Sequence, residues 1–240
     1  MRPERAFADP RGVLGLVAKH QIQNLGATNS FFAKVIEVLD REPFDADLSC
    51  LRSVRFSGET TSPQVAAGVH ERLKGLGAVD FEVRFNYASS EAGHISMISD
   101  KELGEGPAGS AVSGPVSQGP ARPGTELRVV DEDGSVVRHG EVGRIETRSD
   151  SQMFSGYYGD PEATREAFTT DGWFRTGDLG FVDRVGVTIV GRVSGMIIAN
   201  GRNISLAQIE AHLHGVPPHG ANRVPTPCDL DGVRSGRADG

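Results

Sequence analysis

The chain has 240 residues, 38% of them hydrophobic, with 31 Gly, 13 Pro and a net charge of −7. This is ordinary globular composition, which excludes collagen, coiled coil and bulk disorder, and two cysteines, Cys50 and Cys228, make neither a disulfide framework nor a Cys-x-x-Cys site. An acidic balance with no Lys/Arg cluster argues against nucleic acid as a partner, while the lack of about 18 consecutive apolar residues or a signal-type leader argues against membrane spanning and secretion. The expected location is a reducing cytoplasm.

Over residues 12–74 apolar positions recur at helical spacing in blocks separated by turn residues and short strands. Phe31, Phe32, Val35, Ile36 and Leu39, opened by Ser30 as N-cap, form the clearest core-facing helix. Residues 51–56 read as a strand, and Ser62-Pro63 supplies a cap and first-turn proline for a helix carrying Val65, Val69, Leu73 and Leu76. Phe81, Val83, Phe85 and Tyr87 alternate with Glu82, Arg84 and Asn86, which predicts the second strand of a βαβ unit.

Residues 104–124 are rich in Gly, Pro and Ser. Gly104-Glu105-Gly106-Pro107-Ala108-Gly109 satisfies G-x-G-x-x-G but lacks a strand before it and a helix after it, so it reads as loop. The sequence beyond is β-rich: residues 131–134, between Leu127-Arg128-Val129-Val130 and Val136-Val137, predict a hairpin. Ile189-Val190 and Met196-Ile197-Ile198 predict two short strands separated by a Gly191-Arg192 turn. After His214 no apolar period remains, and His212, His214 and His219 read as solvated tail rather than metal ligands. Walker-type and G-x-S-x-G motifs are absent, so P-loop and α/β-hydrolase readings fall.

Polar motifs gather at predicted strand ends, where α/β proteins place ligands. They are Ser57-Gly58-Glu59-Thr60-Thr61-Ser62-Pro63 and Asn86-Tyr87-Ala88-Ser89-Ser90-Glu91 in the first half. In the second half come Gly156-Tyr157-Tyr158-Gly159-Asp160-Pro161-Glu162-Ala163-Thr164 and Asp171-Gly172-Trp173-Phe174-Arg175-Thr176-Gly177-Asp178-Leu179-Gly180, and then Gly191-Arg192 opens the stretch to Asn200-Gly201-Arg202-Asn203-Ile204. In these residues, over about 27–210, the chain resembles the adenylate-forming (AMP-binding) superfamily, and most the acyl-CoA synthetase and fatty-acyl-AMP ligase branch.

The resemblance implies an α/β then β-rich chain, a partial adenylate-forming fold. Residues 1–115 would be the second half of the α/β nucleotide-binding subdomain, 116–190 a β-barrel subdomain, 191–213 the hinge and start of a small α+β lid, and 214–240 an unpatterned tail. It implies ATP and Mg²⁺, a fatty or related carboxylic acid as substrate, and coenzyme A as one acceptor left open. By the same resemblance Tyr87 stacks on adenine, Ser90 binds a phosphate oxygen and Glu91 holds Mg²⁺, the last two being the catalytic pair. Asp178 accepts from the ribose hydroxyls and Arg192 donates to ribose or phosphate oxygens. Ser57, Gly58 and Glu59 approach the adenine, with Ser57 standing where a first glycine is usual. Trp173 is expected to pack rather than touch ligand.

Departures from the family pattern are equally legible. No Gly-, Ser- and Thr-rich phosphate loop ending in Lys occurs, and the four lysines, Lys19, Lys34, Lys74 and Lys101, all precede the position of the family's C-terminal catalytic lysine. Ser194-Gly195 replaces a Lys or Asp and an acidic residue at the hinge, Leu206 stands for Pro, and Gln208 for Glu. The competing expectation is therefore a catalytically inactive remnant serving at most as a binding or interaction module; a lone β-barrel binding domain would leave the ordered motifs unexplained. A half-sheet is also expected to expose apolar surface, and with it association with itself or a complementary chain.

Overall fold

A computed structural model of the chain describes residues 9–104, 115–199 and 202–205, with side chains through residue 194. Strands β1 (Asn24–Ala27), β2 (Ser53–Phe56) and β3 (Glu82–Ser89) lie parallel in that order, and β4 (Gly93–Ser99) returns antiparallel along β3. Helices α1 (Pro10–His20), α2 (Asn29–Arg41) and α3 (Pro63–Gly75) pack their apolar stripes on one face of this sheet. The predicted βαβ unit is therefore β2–α3–β3. Phe32, Phe56 and Phe85 are fully buried in a row, with ring centroids 4.5 and 6.0 Å apart. Each such side chain contributes about 1.5–3 kcal/mol by burial.

Local chemistry sets the helix starts. Ser62 caps α3, accepting from the Val65 N–H at 3.5 Å, with Pro63 in the first turn. For α2 the cap is Thr28, two residues before the predicted Ser30, and its hydroxyl accepts from the Phe31 N–H at 3.3 Å. Ser30 lies inside the first turn because its hydroxyl and N–H are both taken by the Glu59 carboxylate.

Opposite the helices, the sheet does not present the expected apolar face. Register places Asn24 beside Ser53, Gly26 beside Arg55, Arg55 beside Arg84, and Ser53 beside Glu82. Arg55 is exposed, Glu82 pairs with Arg84, and the Ser53 hydroxyl donates to Asn24 Oδ1 at 2.6 Å. Alternation thus delivers polar groups to the uncovered side. Among the described residues no helix is long and apolar enough to cross a membrane.

The second half is an antiparallel sheet of β5 (Thr125–Val130), β6 (Gly143–Ser149), β7 (Phe174–Val182) and β8 (Val187–Arg192), with α5 (Pro161–Ala167) between β6 and β7. The predicted turn at residues 131–134 forms, closed by the Asp131 N–H on the Ser135 carbonyl at 3.0 Å. Its second arm is only a bridge from Val130 to Val136, because polar residues follow Val137, and the ladder partner of β5 is β6 instead. Gly191 and Arg192 are not a turn: they pair with Leu179 and Asp178 inside β8. The break falls at the 3₁₀ turn Val193–Gly195, before the antiparallel pair β9 (Met196–Ala199) and β10 (Arg202–Ser205). Of G-x-G-x-x-G only Gly104 is described; residues 206–240, with the tail, its histidines and Cys228, lie outside the described residues.

One strap joins the sheets. Ala121 bridges to Ser96 of β4, while Gln118 and Gly119 exchange backbone hydrogen bonds of 2.8 and 2.9 Å with Val187 of β8. Gly186 crosses Gly119 so closely, at φ +145°, that a Cβ would collide with the Gly119 carbonyl. The β3–β4 hairpin leans the same way: Tyr87, Ala92 and Ile95 are buried with Val129, Ile145, Phe174, Val187 and Ile189 in the second core rather than the first.

Candidate active site

Where that hairpin meets the second sheet there is a cavity of about 940 Å³. Gly58, Glu59, Tyr87, Ser90, Glu91, Asp178 and Arg192 line it, seven of the eight residues singled out from the sequence. Ser57 does not line it; its hydroxyl accepts from Asn86 Nδ2 at 2.9 Å, and Asn86 is a wall residue.

Each residue arrives by a different local route. Gly58, at φ +82°, turns the chain after β2 in a conformation that L side chains rarely adopt. Glu59 then points both carboxylate oxygens at the start of α2, accepting from Ser30 N–H at 2.7 Å and Ser30 Oγ–H at 2.8 Å. The first of those bonds satisfies an orphan helix N–H, so the immediate work of Glu59 in this structure is to anchor the loop. Ser90 and Glu91 occupy the tip of the β3–β4 hairpin, closed by the Ala92 N–H on Ser89 Oγ at 3.0 Å.

Asp178 is the joint of the site. It stands directly opposite Arg192 in the β7–β8 register, and Arg192 Nε reaches Asp178 Oδ1 at 3.2 Å. Its other oxygen, Oδ2, accepts from the Tyr87 hydroxyl at 2.7 Å. The Arg192 guanidinium also donates to the Thr176 carbonyl at 3.2 Å, and the Thr176 hydroxyl accepts from the Asp178 N–H at 3.1 Å. Burial pushes the Asp178 carboxyl above its ordinary value, opposed by the Tyr87 hydrogen bond and by Arg192, with Glu91 adding to the rise. Burial, and then the Asp178 charge, push the Tyr87 phenol far above its usual value, so it acts as a donor.

Tyr87 is 7% exposed in this closed arrangement. Trp173 packs as expected: its ring lies between the guanidinium groups of Arg128 and Arg148, at 4.4 and 4.7 Å, and is not part of the cavity wall. Sequence reasoning assigned no role to four further wall residues, Asn86, Gln118, Thr176 and Tyr157. Of these, Asn86, Tyr157 and Thr176 were visible inside quoted motifs. Gln118 carried no signal, because its work is to tie the connecting segment at Val116 to Ile189 of β8.

A family model for AMP-binding enzymes matches residues 1–158. The chain belongs to the AMP-binding enzyme family. Over 219 residues it is 32% identical to the nonribosomal peptide synthetase apvA of Aspergillus terreus, which covers 88% of the chain and 23% of that protein. Among solved structures it is similar to the adenylation domain of a keto acid-selecting NRPS module bound to keto acyl adenylate, with TM-score 0.71, 26% identity, and coverage of 90% of this chain and 45% of that one. It is also similar to ATP-bound MatB from Rhodopseudomonas palustris, with TM-score 0.66, 26% identity, and coverage of 87% and 38%. The chain therefore spans about a quarter of the length of the curated relatives it matches. The partial adenylate-forming fold expected from the motifs is what these AMP-binding relatives share. The narrower expectation of a fatty-acid branch is not supported, since peptide synthetases stand among the relatives.

The wall chemistry suits a nucleotide and a divalent ion. Among the described residues no cluster of three His, Cys, Asp or Glu side chains could hold an ion alone. A single carboxylate sharing Mg²⁺ with nucleotide phosphates is a normal arrangement for that cation, and Glu91 on the cavity wall is of the chemistry it needs.

Proposed function

We propose that this chain forms the nucleotide-facing cleft of an ATP-dependent ligase that converts a carboxylic acid into an acyl-adenylate and pyrophosphate. The acid oxygen attacks the α-phosphorus, and the protein's task is to hold adenosine and stabilise the charge that spreads over the phosphate. Asp178 accepts from the ribose, with Arg192 holding one of its oxygens and donating toward ribose or phosphate. The face of Tyr87 and the Gly58 turn bound the adenine, and Ser90 offers a hydroxyl to phosphate oxygens. Glu91 would hold Mg²⁺, which when bound supplies positive charge to the phosphates.

The observation that carries this reading is the meeting of Tyr87, Asp178 and Arg192 from three strands and two sheets on one cavity wall. For the acid, the relatives favour an α-amino or α-keto acid over the fatty acid expected from the motifs. Coenzyme A is then one of several acceptors, and a carrier-bound thiol is another.

The test is ATP binding by calorimetry for the chain and for Asp178→Ala, run beside ATP–pyrophosphate exchange with α-amino, α-keto and fatty acids. The expected result is ATP binding weakened at least about 10-fold by Asp178→Ala, as for losing a hydrogen bond to a charged group. Exchange is expected with an amino or keto acid. Binding without exchange assigns the chain to the non-catalytic reading, and an absence of binding overturns the nucleotide site.

A further inference from the structure

We propose that Tyr157 is a positioning residue for the Glu91 carboxylate, delivered to it by the Gly156-Tyr157-Tyr158-Gly159-Asp160-Pro161-Glu162-Ala163-Thr164 motif. The inference rests on the nucleotide reading above and names a residue to which that reading gives no work.

Glu91 sits at a hairpin tip, where a carboxylate on two methylenes has many rotamers to lose before it can hold anything. Among the described residues the hydrogen bond that reaches this carboxylate comes from the Tyr157 hydroxyl, 3.1 Å from Oε1. That leaves Oε2 for another ligand. The same loop docks on the Glu91 backbone, where the Phe154 N–H donates to the Glu91 carbonyl at 2.7 Å.

Tyr157 is 41% exposed and is held by one ring contact and by its backbone. Its ring stands edge-on to Phe154, centroids 5.0 Å apart, and Phe154 packs against Phe168 and Phe174 at 5.5 and 5.4 Å. The Tyr157 N–H donates to Thr164 Oγ1 at 2.9 Å, and the Thr164 hydroxyl donates to the Asp160 carbonyl at 2.8 Å. Gly156 adopts φ +143° against Thr164, where a Cβ would meet Thr164 Cγ2 at 2.7 Å. Glycine, tyrosine and threonine in the motif therefore act as one unit: the glycine permits the approach, the threonine locks the loop, and the tyrosine projects the donor. The contact also ties the hairpin of the first sheet to the loop after β6 in the second.

Groups that orient a metal-holding side chain typically change metal affinity by about 10-fold or more when removed. The test is calorimetric titration of ATP into the full 240-residue chain, in EDTA and in excess Mg²⁺, for wild type, Tyr157→Phe, Glu91→Gln and the double variant. Tyr158→Phe serves as a control, since Tyr158 is fully exposed. Tyr157→Phe is expected to reduce the Mg²⁺-dependent gain in ATP affinity about 10-fold. It should leave metal-free binding and the circular dichroism spectrum unchanged, and add nothing in the Glu91→Gln background. Tyr158→Phe should match wild type. An equal loss with and without Mg²⁺, a further loss in the Glu91→Gln background, or no loss at all would each overturn the positioning role while leaving the nucleotide reading intact. ATP binding that Mg²⁺ does not strengthen in the wild-type chain would overturn the positioning role alone, and a wild-type chain that binds ATP in neither condition would overturn both.

Discussion

Tyr87 and Asp178 stand 91 positions apart in the chain, yet the phenol of one donates to Oδ2 of the other at 2.7 Å. The bond spans the seam between the two sheets at the wall of the cavity, with Arg192 holding the opposite carboxylate oxygen. Tyr87→Phe keeps the ring and deletes the donor. Because the Asp178 side chain is only 14% exposed, water replaces that donor poorly, and a loss of about 1.5–3 kcal/mol is expected. Urea unfolding reads it as a lower midpoint at unchanged slope. An unaltered midpoint would mean that the seam is held by packing alone.

On the outer side of the second sheet, Glu146 is buried with its carboxylate 2.7 Å from Arg128 Nε, while Arg175 comes no nearer than 3.9 Å. Arg128 also covers Trp173 and pairs with Asp171 at 2.8 Å, and that pairing lowers the Asp171 carboxyl to about 2. Arg128→Ala strands a buried negative charge and should cost about 3–5 kcal/mol. Adding Glu146→Gln should recover a substantial part of that loss in the same unfolding assay. Should it recover none, the stacking on Trp173 carries the stability instead.

Between α3 and the short helix α4 (Asp100–Leu103), His70 stacks on Phe81 at 4.8 Å with its side chain 20% exposed. Its Nδ1 is buried without a hydrogen bond, 3.8 Å from Asp100. Burial holds its pKa below 6.5, helped by Lys74 and opposed by Asp100 and Glu71. A base with a depressed folded pKa is neutral in the native state, so its contribution is complete above the unfolded pKa of about 6.5 and lost as pH falls toward the folded value. Wild type should therefore lose stability between pH 7 and 5 more steeply than His70→Phe. Parallel pH profiles for the two would remove His70 as the cause.

Much of the first half was readable locally. The stripe at Phe31, Phe32 and Val35, the Ser62-Pro63 start of α3 and the alternation along β3 all appear where the pattern placed them. The misplacements have physical reasons. Ser30 reads as a cap because a hydroxyl before an apolar stripe usually is one. Nothing nearby announces that Glu59, 29 positions on, claims both its hydroxyl and its N–H. Gly191-Arg192 looked like a turn until β7 supplied partners in register, and β4 carried no clear alternation of its own.

Family and most of the residues that gather on the cavity wall could be read from the string because each motif is short, and its residue types are dictated by backbone geometry and by the charge a ligand would meet. Geometry came from elsewhere. The Asp178–Arg192 opposition, the Tyr87 bond across the seam and the approach of Tyr157 to Glu91 join segments 14 to 91 positions apart. Such contacts leave no periodic trace, since only chain folding decides which distant side chains share a wall. The β7–β8 ladder sets the Asp178–Arg192 pair, and packing of the β3–β4 hairpin into the second core is what brings Tyr87 and Glu91 to their partners.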